Sequence, residues 1–363
     1  MKNEMLYLLL LLSHMLCATS FLVSSGTRIW DMANALGIIE QTIESKLCLI
    51  EDTVSQFDIP CALASIANAT SISLKGPYCL THSINGTITI NADDVYLDLN
   101  GYRVNGNIVI QPGQKNIVIR NGFISNGKSD TGICIEGTVM ATIENVLIEN
   151  IALDACTTGI SALETVGLTI QSVHIDDCSM GITATDSSGI VISNTSIQNQ
   201  ENAIVLNTCS DVAIDACTAS MITNDIFSIT DGACIILNQC QAYMSTSGNG
   251  FSLEGNRISC QNCIALHCVS GFSSINTGVR GLNISNSLAQ NNTIGFDMVN
   301  TKTGVIKENV ALNNTVGFSD ASTGVVYLAN SAIGNGMNYS TAGIPFSPVS
   351  ALTATSYWQN ITG

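Results

Sequence analysis

The chain reads as an all-β solenoid, a single strand wound right-handed into roughly ten to twelve coils of parallel strands, with a helical cap at its N-terminus. Three observations predict it. Residues 282–294 (LNISNSLAQNNTI), followed by Gly295-Phe296, have a near copy that ends at Gly317-Phe318. The signature recurs upstream with a period of about 22 residues, in the range of stacked repeats. Apolar residues make up 46% while aromatics are 5% and charged residues 11%, a balance of small and β-branched side chains that suits strands joined by tight turns. Repeats also remove the length argument for several globular domains, because each unit buries its core only against its neighbours.

Taken in order, residues 1–25 read as an export signal: Lys2 supplies the positive end, Met5 to Leu12 an apolar run, and Ala18, Ser20, Ser24 and Ser25 small residues for cleavage. Leu16 is too large for the usual lipobox before Cys17, and no other run could span a bilayer. The protein is therefore expected in the periplasm, at the cell surface or secreted. Residues 27–60 form the second segment. Leu36, Ile39, Ile43, Leu47, Ile50, Val54 and Phe57 lie three or four apart, the mark of an amphipathic helix, and Pro60 stops it. This helix either caps the open end of the solenoid or, between Thr27 and Phe57, joins copies into a homo-oligomer; the step from Ile43 to Leu47 breaks the heptad that a coiled coil needs.

Residues 61–338 carry the coils, with the two-residue period starting at Ile72. Aligned segments give a first inward column of Ile119, Ile143, Ile170, Ile192, Ile214, Ile236, Cys260, Ile284, Ile306 and Leu328. A second reads Ile124, Ile148, Ile175, Ile197 and Ala219, then, after a gap, Ala265, Ala289, Ala311 and Ile333. Between them runs a turn column of Asn121, Asn145, Ser172, Asn194, Ala216, Asn238, Asn262, Asn286, Glu308 and Asn330. A fourth holds Asn126, Asn150, Asp177, Asn199, Asn291, Asn313 and Asn335. Asparagine tolerates left-handed backbone, so these are turn-formers first. Gly159, Gly181, Gly250, Gly271, Gly295 and Gly317 are corners, each followed by an inward Ile or Phe. In residues 339–363, Pro345 and Pro348 break strand pairing, and the tail is expected to cover the last coil's edge.

Fourteen cysteines are many, and the number left is odd if Cys17 departs with the leader. Cys61 and Cys79 are the expected disulfide. Cys156 and Cys178 stand one period apart and should stack on adjacent coils, and the buried thiols are expected to act as small hydrophobes. Cys260-Gln-Asn-Cys263 has metal-pair spacing, but a strand would send its two thiols to opposite faces.

The rungs Ile-x-Asn-x-x-Ile-x-Asn, with Gly-Ile or Gly-Phe anchors and the entry Leu97-Asp98-Leu99-Asn100-Gly101, resemble the right-handed parallel β-helix repeats of the pectate-lyase-like superfamily, including NosD-like periplasmic proteins. The resemblance covers roughly Ile72 to Asn338 and implies the fold, but that superfamily carries lyases, hydrolases, epimerases, tailspikes and adhesins on one scaffold. Of the motifs that mark its polygalacturonase-type hydrolases, only Asp176-Asp177 is present; no Gly-His-Gly or Arg-x-Lys occurs.

The net charge of -16, with 12 Lys plus Arg, argues against nucleic acid as a partner and disfavours a polyanionic polymer. The one mixed-charge surface lies on the early coils. Arg120 and Glu144 are expected to share one outward column, and Glu149 and Asp176 another, with Asp177 and His174 beside them. These six are the candidate groove residues. No cofactor is expected other than a calcium ion, for which Glu149 and Asp176 are the candidate ligands. The functional reading is non-catalytic recognition of a carbohydrate polymer. The alternatives are a polysaccharide lyase, epimerase or hydrolase using an acidic groove, and a structural or adhesive rod.

Overall fold

The computed structural model describes residues 64–274, 278–322, 324–341, 349–350 and 361–362. The expected signal, the segment 27–60 and Cys61 lie outside the described residues. Cys79 is disulfide-bonded.

The described residues form about twelve parallel coils, and among them there is no helix. Every ladder pairs each strand with the one a coil later, in parallel register. Each full coil contributes to three faces. The first runs through Val95–Asp98, Thr165–Gln171 and Arg280–Ser285; the second through Arg103–Asn105, His174–Asp176 and Val310–Leu312; the third through Ile88–Ile90, Met180–Thr185 and Val316–Asp320. Strands this short alternate one inward and one outward residue, so each face feeds one or two columns to a shared core.

The first inward column is Ile119, Ile148, Ile170, Ile192, Ile214, Leu237, Cys260, Ile284 and Ile306, all buried. Three expected members are corrected: Ile148 replaces Ile143, Leu237 replaces Ile236 and Tyr327 replaces Leu328. The second column runs Ile124, Leu153, Ile175, Ile197, Ala219, Ala242, Ala265, Ala289, Ala311 and Ala332. Leu153 therefore replaces Ile148, Ala242 fills the gap and Ala332 replaces Ile333. The cause is uneven coil length. Asn121 and Asn150 stack across 29 residues, Asp215 and Asn238 across 23, Asn309 and Asn330 across 21. In the long coil the extra residues bulge as the loop of residues 126–130 and a reverse turn bridging Thr138 to Ala141, with Met140 fully exposed.

The corners are left-handed at single residues. Along the turn from first to second face these are Asn121, Asn150, Ser172, Asn194, Ala216, Gln239, Asn262, Asn286, Glu308 and Ala329, all with φ between 50° and 59°. Asn145 belongs to an earlier corner of its coil, and Asn238 and Asn330 sit one residue away from the left-handed position. Along the turn from second to third face the left-handed residues are Ala155, Asp177, Asn199, Met221, Met244, His267, Asn291, Asn313 and Gly334, so Asn150 and Asn335 leave the expected column. Asn335 instead points inward, where Asn292, Asn314 and Asn335 form a chain: each Oδ1 accepts the backbone N–H of the residue one coil earlier, at 2.8 Å. The corner at Asn262 also turns the chain between Cys260 and Cys263, so both thiols are buried rather than opposed.

The third face carries a packed column in which Ile108, Ile133, Ile160, Ile182 and Ile204 give way to Phe227, Phe251, Phe272, Phe296, Phe318 and Tyr339. The five phenyl rings stack with centroids 4.7–4.9 Å apart and planes within 8°. The glycines before Phe251, Phe272, Phe296 and Phe318 are required by their neighbours: a Cβ on Gly271 would meet the carbonyl oxygen of Gly295 at 2.7 Å. The strand Met337–Thr341 continues this ladder past Asn338, and Ile361–Thr362 pairs in parallel with Ser331 and Ala332.

Candidate functional site

The six residues singled out in the sequence fall on two different faces. Arg120, Glu144 and Glu149 lie outward on the first face. There Arg120 pairs in register with Asp98 and Glu149, while Glu144 pairs with Lys115. The expected Arg120–Glu144 column is therefore five residues out, because the coil between them is longer than the period. Arg120 Nε donates to Asp98 Oδ2 at 3.0 Å, its Nη1 lies 3.6 Å from Glu149 Oε1, and its guanidinium carbon sits 4.6 Å from the centre of the Tyr96 ring. Lys115 Nζ donates to Glu144 Oε1 at 2.8 Å, and this bond raises the lysine's pKa. Each of these carboxylates is thus neutralised by a cation from the neighbouring coil.

His174, Asp176 and Asp177 lie on the second face and its following turn. Glu149 and Asp176 do not share a column, which separates the two expected calcium ligands. The like-charged neighbour of Asp176 is Asp154, in register on the preceding coil, a feature hidden from the sequence by the same 29-residue step. Adjacent strands place such partners about 4.8 Å apart. Asn199 Nδ2 donates to Asp176 Oδ1 at 2.8 Å, and Lys128 Nζ donates to Asp177 Oδ1 at 2.7 Å, which raises the lysine's pKa. Beside them stand the exposed His174 and, two coils earlier, the Phe123 ring, 46% exposed. Among the described residues no group of three or more His, Cys, Asp or Glu side chains could hold a metal ion.

A third arrangement was not read from the sequence. At the turn from second to third face, the later coils form an open trench of about 710 Å³. On each coil three consecutive residues run exposed, buried, exposed: His267-Cys268-Val269, Asn291-Asn292-Thr293 and Asn313-Asn314-Thr315. The middle residues belong to the inward asparagine chain and form the floor. Asn292 and Asn314 donate their Nδ2 to the carbonyls of Ala265 and Ala289, at 3.1 and 3.0 Å, so the floor is rigid and its amides are spent. The rims are free to meet a ligand. His267 Nε2 lies 3.4 Å from Asn291 Nδ2, which makes that nitrogen the acceptor if the amide donates, and Thr293 and Thr315 present hydroxyls opposite. No carboxylate or cation lines the trench. The Asn-Asn-Thr repeat is the signal that could have found it.

Residues 106–258 match the family described as right handed beta helix region. No curated protein sequence matches the chain. Among solved structures the chain is similar to a single-site variant of the periplasmic alginate epimerase AlgG, at 11% identity and TM-score 0.53, covering 81% of this chain and 74% of that one. A double variant of the same epimerase matches at 12% identity and TM-score 0.52, covering 79% and 77%. The tailspike protein of E. coli bacteriophage HK620, in complex with a pentasaccharide, matches at 11% identity and TM-score 0.46, covering 80% and 60%. Among the described residues no helix is long and apolar enough to cross a membrane. Parallel in-register coils on three faces, the family match over residues 106–258 and the likeness to the alginate epimerase agree on the fold: the described residues form a right-handed parallel β-helix.

Proposed function

We propose that this protein recognises an extended, uncharged carbohydrate polymer without transforming it, outside the cytoplasm, and that the trench from Thr246 to Gly336 is where the polymer lies. The observation that carries the reading is the trench itself: amide and hydroxyl groups repeat along it from coil to coil, no carboxylate, lysine or arginine lines it, and its one ionisable ring is His267 at one end. A periodic ladder of neutral donors and acceptors suits a ligand that repeats hydroxyl pairs along its length, and a rigid floor lowers the ordering cost of binding. A net charge of -16 disfavours a polyanion such as alginate, even though the fold is shared with an alginate epimerase.

Titrating the purified protein with neutral and acidic polysaccharides tests this. Saturable binding of a neutral polymer is expected, weakened about tenfold in the double variant Asn291→Ala/Asn313→Ala, as befits two lost hydrogen-bonding side chains. The absence of saturable binding by any polymer would reject it.

One observation favours a catalytic alternative. Asp154 and Asp176 are neighbours at about the separation of the carboxylate pair in retaining glycosidases, with His174 on the same face. That reading requires new oligosaccharides on incubation with polymer and their loss in Asp176→Asn. Products that persist in this variant would exclude the pair as catalyst.

A further inference from the structure

On a run of coils, the residue directly after the left-handed corner between first and second face points its side chain into the core and donates to the carbonyl two residues back. On five successive coils this position holds Thr195, Cys217, Cys240, Cys263 and Ser287. Thr195 and Ser287 donate at 3.0 and 2.9 Å, and the three thiols do the same less closely, at 3.4, 3.4 and 3.3 Å. Hydroxyls therefore already fill the turn-closing role in this column, so that role does not call for sulfur. What the three cysteines add is a run of soft donors one above another. All three are free thiols and all are at most 1% exposed.

The spacing is fixed by the coil. Phenyl rings of the same region repeat at 4.8 and 4.7 Å, and side chains related by one coil step in one orientation repeat at that pitch. A thiolate bond to a d10 ion is about 2.3 Å, so an ion held linearly between two sulfurs needs them about 4.6 Å apart. No convergent set of three or more donors exists among the described residues, which leaves two-coordinate linear binding as the mode this column can offer. Soft ions that form thiolate bonds and accept that geometry are of the Cu(I) and Ag(I) class.

We propose that the column Cys217–Cys240–Cys263 is a binding site for a soft monovalent d10 cation, held in line between successive sulfurs inside the core. The binding step is a simple exchange. One thiol loses its proton to solvent and forms a thiolate–metal bond, the next thiol donates a lone pair while keeping its proton, and no electron is transferred. One charge enters and one leaves, so the core stays neutral, as an apolar interior demands. The inference is independent of what the trench binds.

The test is competition for Cu(I) against a chromogenic Cu(I) chelator, anaerobically and under reduction, with the full chain equilibrated just below its melting temperature so that coils can open. Native mass spectrometry counts the bound ions. The triple variant Cys217→Ser/Cys240→Ser/Cys263→Ser should fold, since Thr195 and Ser287 occupy the same column, and it should lose at least one bound equivalent. Cys240→Ser alone, which removes the sulfur common to both pairs, should do the same, while Cys134→Ser, at a half-buried thiol elsewhere, should lose none. Affinity should fall about tenfold per unit of acidification, as one released proton requires. Uptake by the serine variants equal to that of the unchanged chain, or no uptake by the unchanged chain, would overturn the proposal.

Discussion

Replacing Phe272 by alanine tests whether the phenyl stack holds the later coils together. Phe272 is fully buried between Phe251 and Phe296, with ring centroids at 4.7 and 4.9 Å and planes within 5°. Truncating a buried phenylalanine costs about 3–5 kcal/mol, and a stacked ring pair contributes about 0.5–1.5 kcal/mol beyond buried area. With rings on both sides, Phe272 belongs at the upper end, about 4–5 kcal/mol. Phe227 is as deeply buried, but its earlier neighbour is Ile204, so it has one ring contact fewer. Its alanine variant should cost about 1 kcal/mol less. Phe272→Ile should cost about 2 kcal/mol, because the same column is built from isoleucine in the earlier coils. Urea unfolding followed by far-ultraviolet circular dichroism gives the three values. In a stack of repeats the damage should also be local, with hydrogen exchange accelerated in the coils holding Phe251 and Phe296 and unchanged at Ile133 and Ile160. A loss below about 1 kcal/mol for Phe272→Ala, or equal losses at Phe227 and Phe272, would refute the reasoning.

Two further outcomes follow from buried polar groups. Asn314→Ala removes an acceptor of the Asn292 N–H at 2.8 Å and a donor to the Ala289 carbonyl at 3.0 Å, leaving both buried and unpaired. It should cost about 2–4 kcal/mol by urea unfolding, against less than about 1 kcal/mol for the exposed Asn313→Ala. Asp297 is buried with Oδ1 lacking a hydrogen-bond partner among the described residues, and burial raises its pKa, opposed in part by a hydrogen bond from Ser319. The folded chain thus binds this proton more tightly than the unfolded chain. Its stabilising effect is complete below the ordinary carboxylate pKa and is lost as pH rises through the raised value. Asp297→Asn should therefore melt higher than the unchanged chain at pH 7, with the difference closing on acidification; an equal or lower melting temperature at pH 7 would contradict this.

Much of the fold was legible, and the errors share one cause. The Gly-Phe anchors, Cys156 beneath Cys178 and Cys260 among isoleucines all follow from a local pattern, and each stands where it was expected. Ile143, Ile236 and Ile333 did not. Ile236 and Ile333 are 52% and 45% exposed and stand one residue away from the inward Leu237 and Ala332. In a strand a step of one residue exchanges the faces, and an apolar residue on either side satisfies the same pattern. The candidate site suffered most, because Arg120, Glu149 and Asp176 were placed across the one coil that is 29 residues long.

By itself the sequence determined the architecture. A recurring apolar column, a left-handed-tolerant residue after it and a glycine before an inward ring specify a coil, and the copies have no other way to bury their apolar side than against each other. The tertiary structure alone decided which residues become neighbours across coils. That depends on where each coil takes up its extra residues, and a loop such as 126–130 changes the distance along the chain without changing the strand pattern on either side. Contacts between coils make the ion pairs, the Asp154–Asp176 pair, the thiol column and the trench, so chemistry here is set by stacking register rather than by motif.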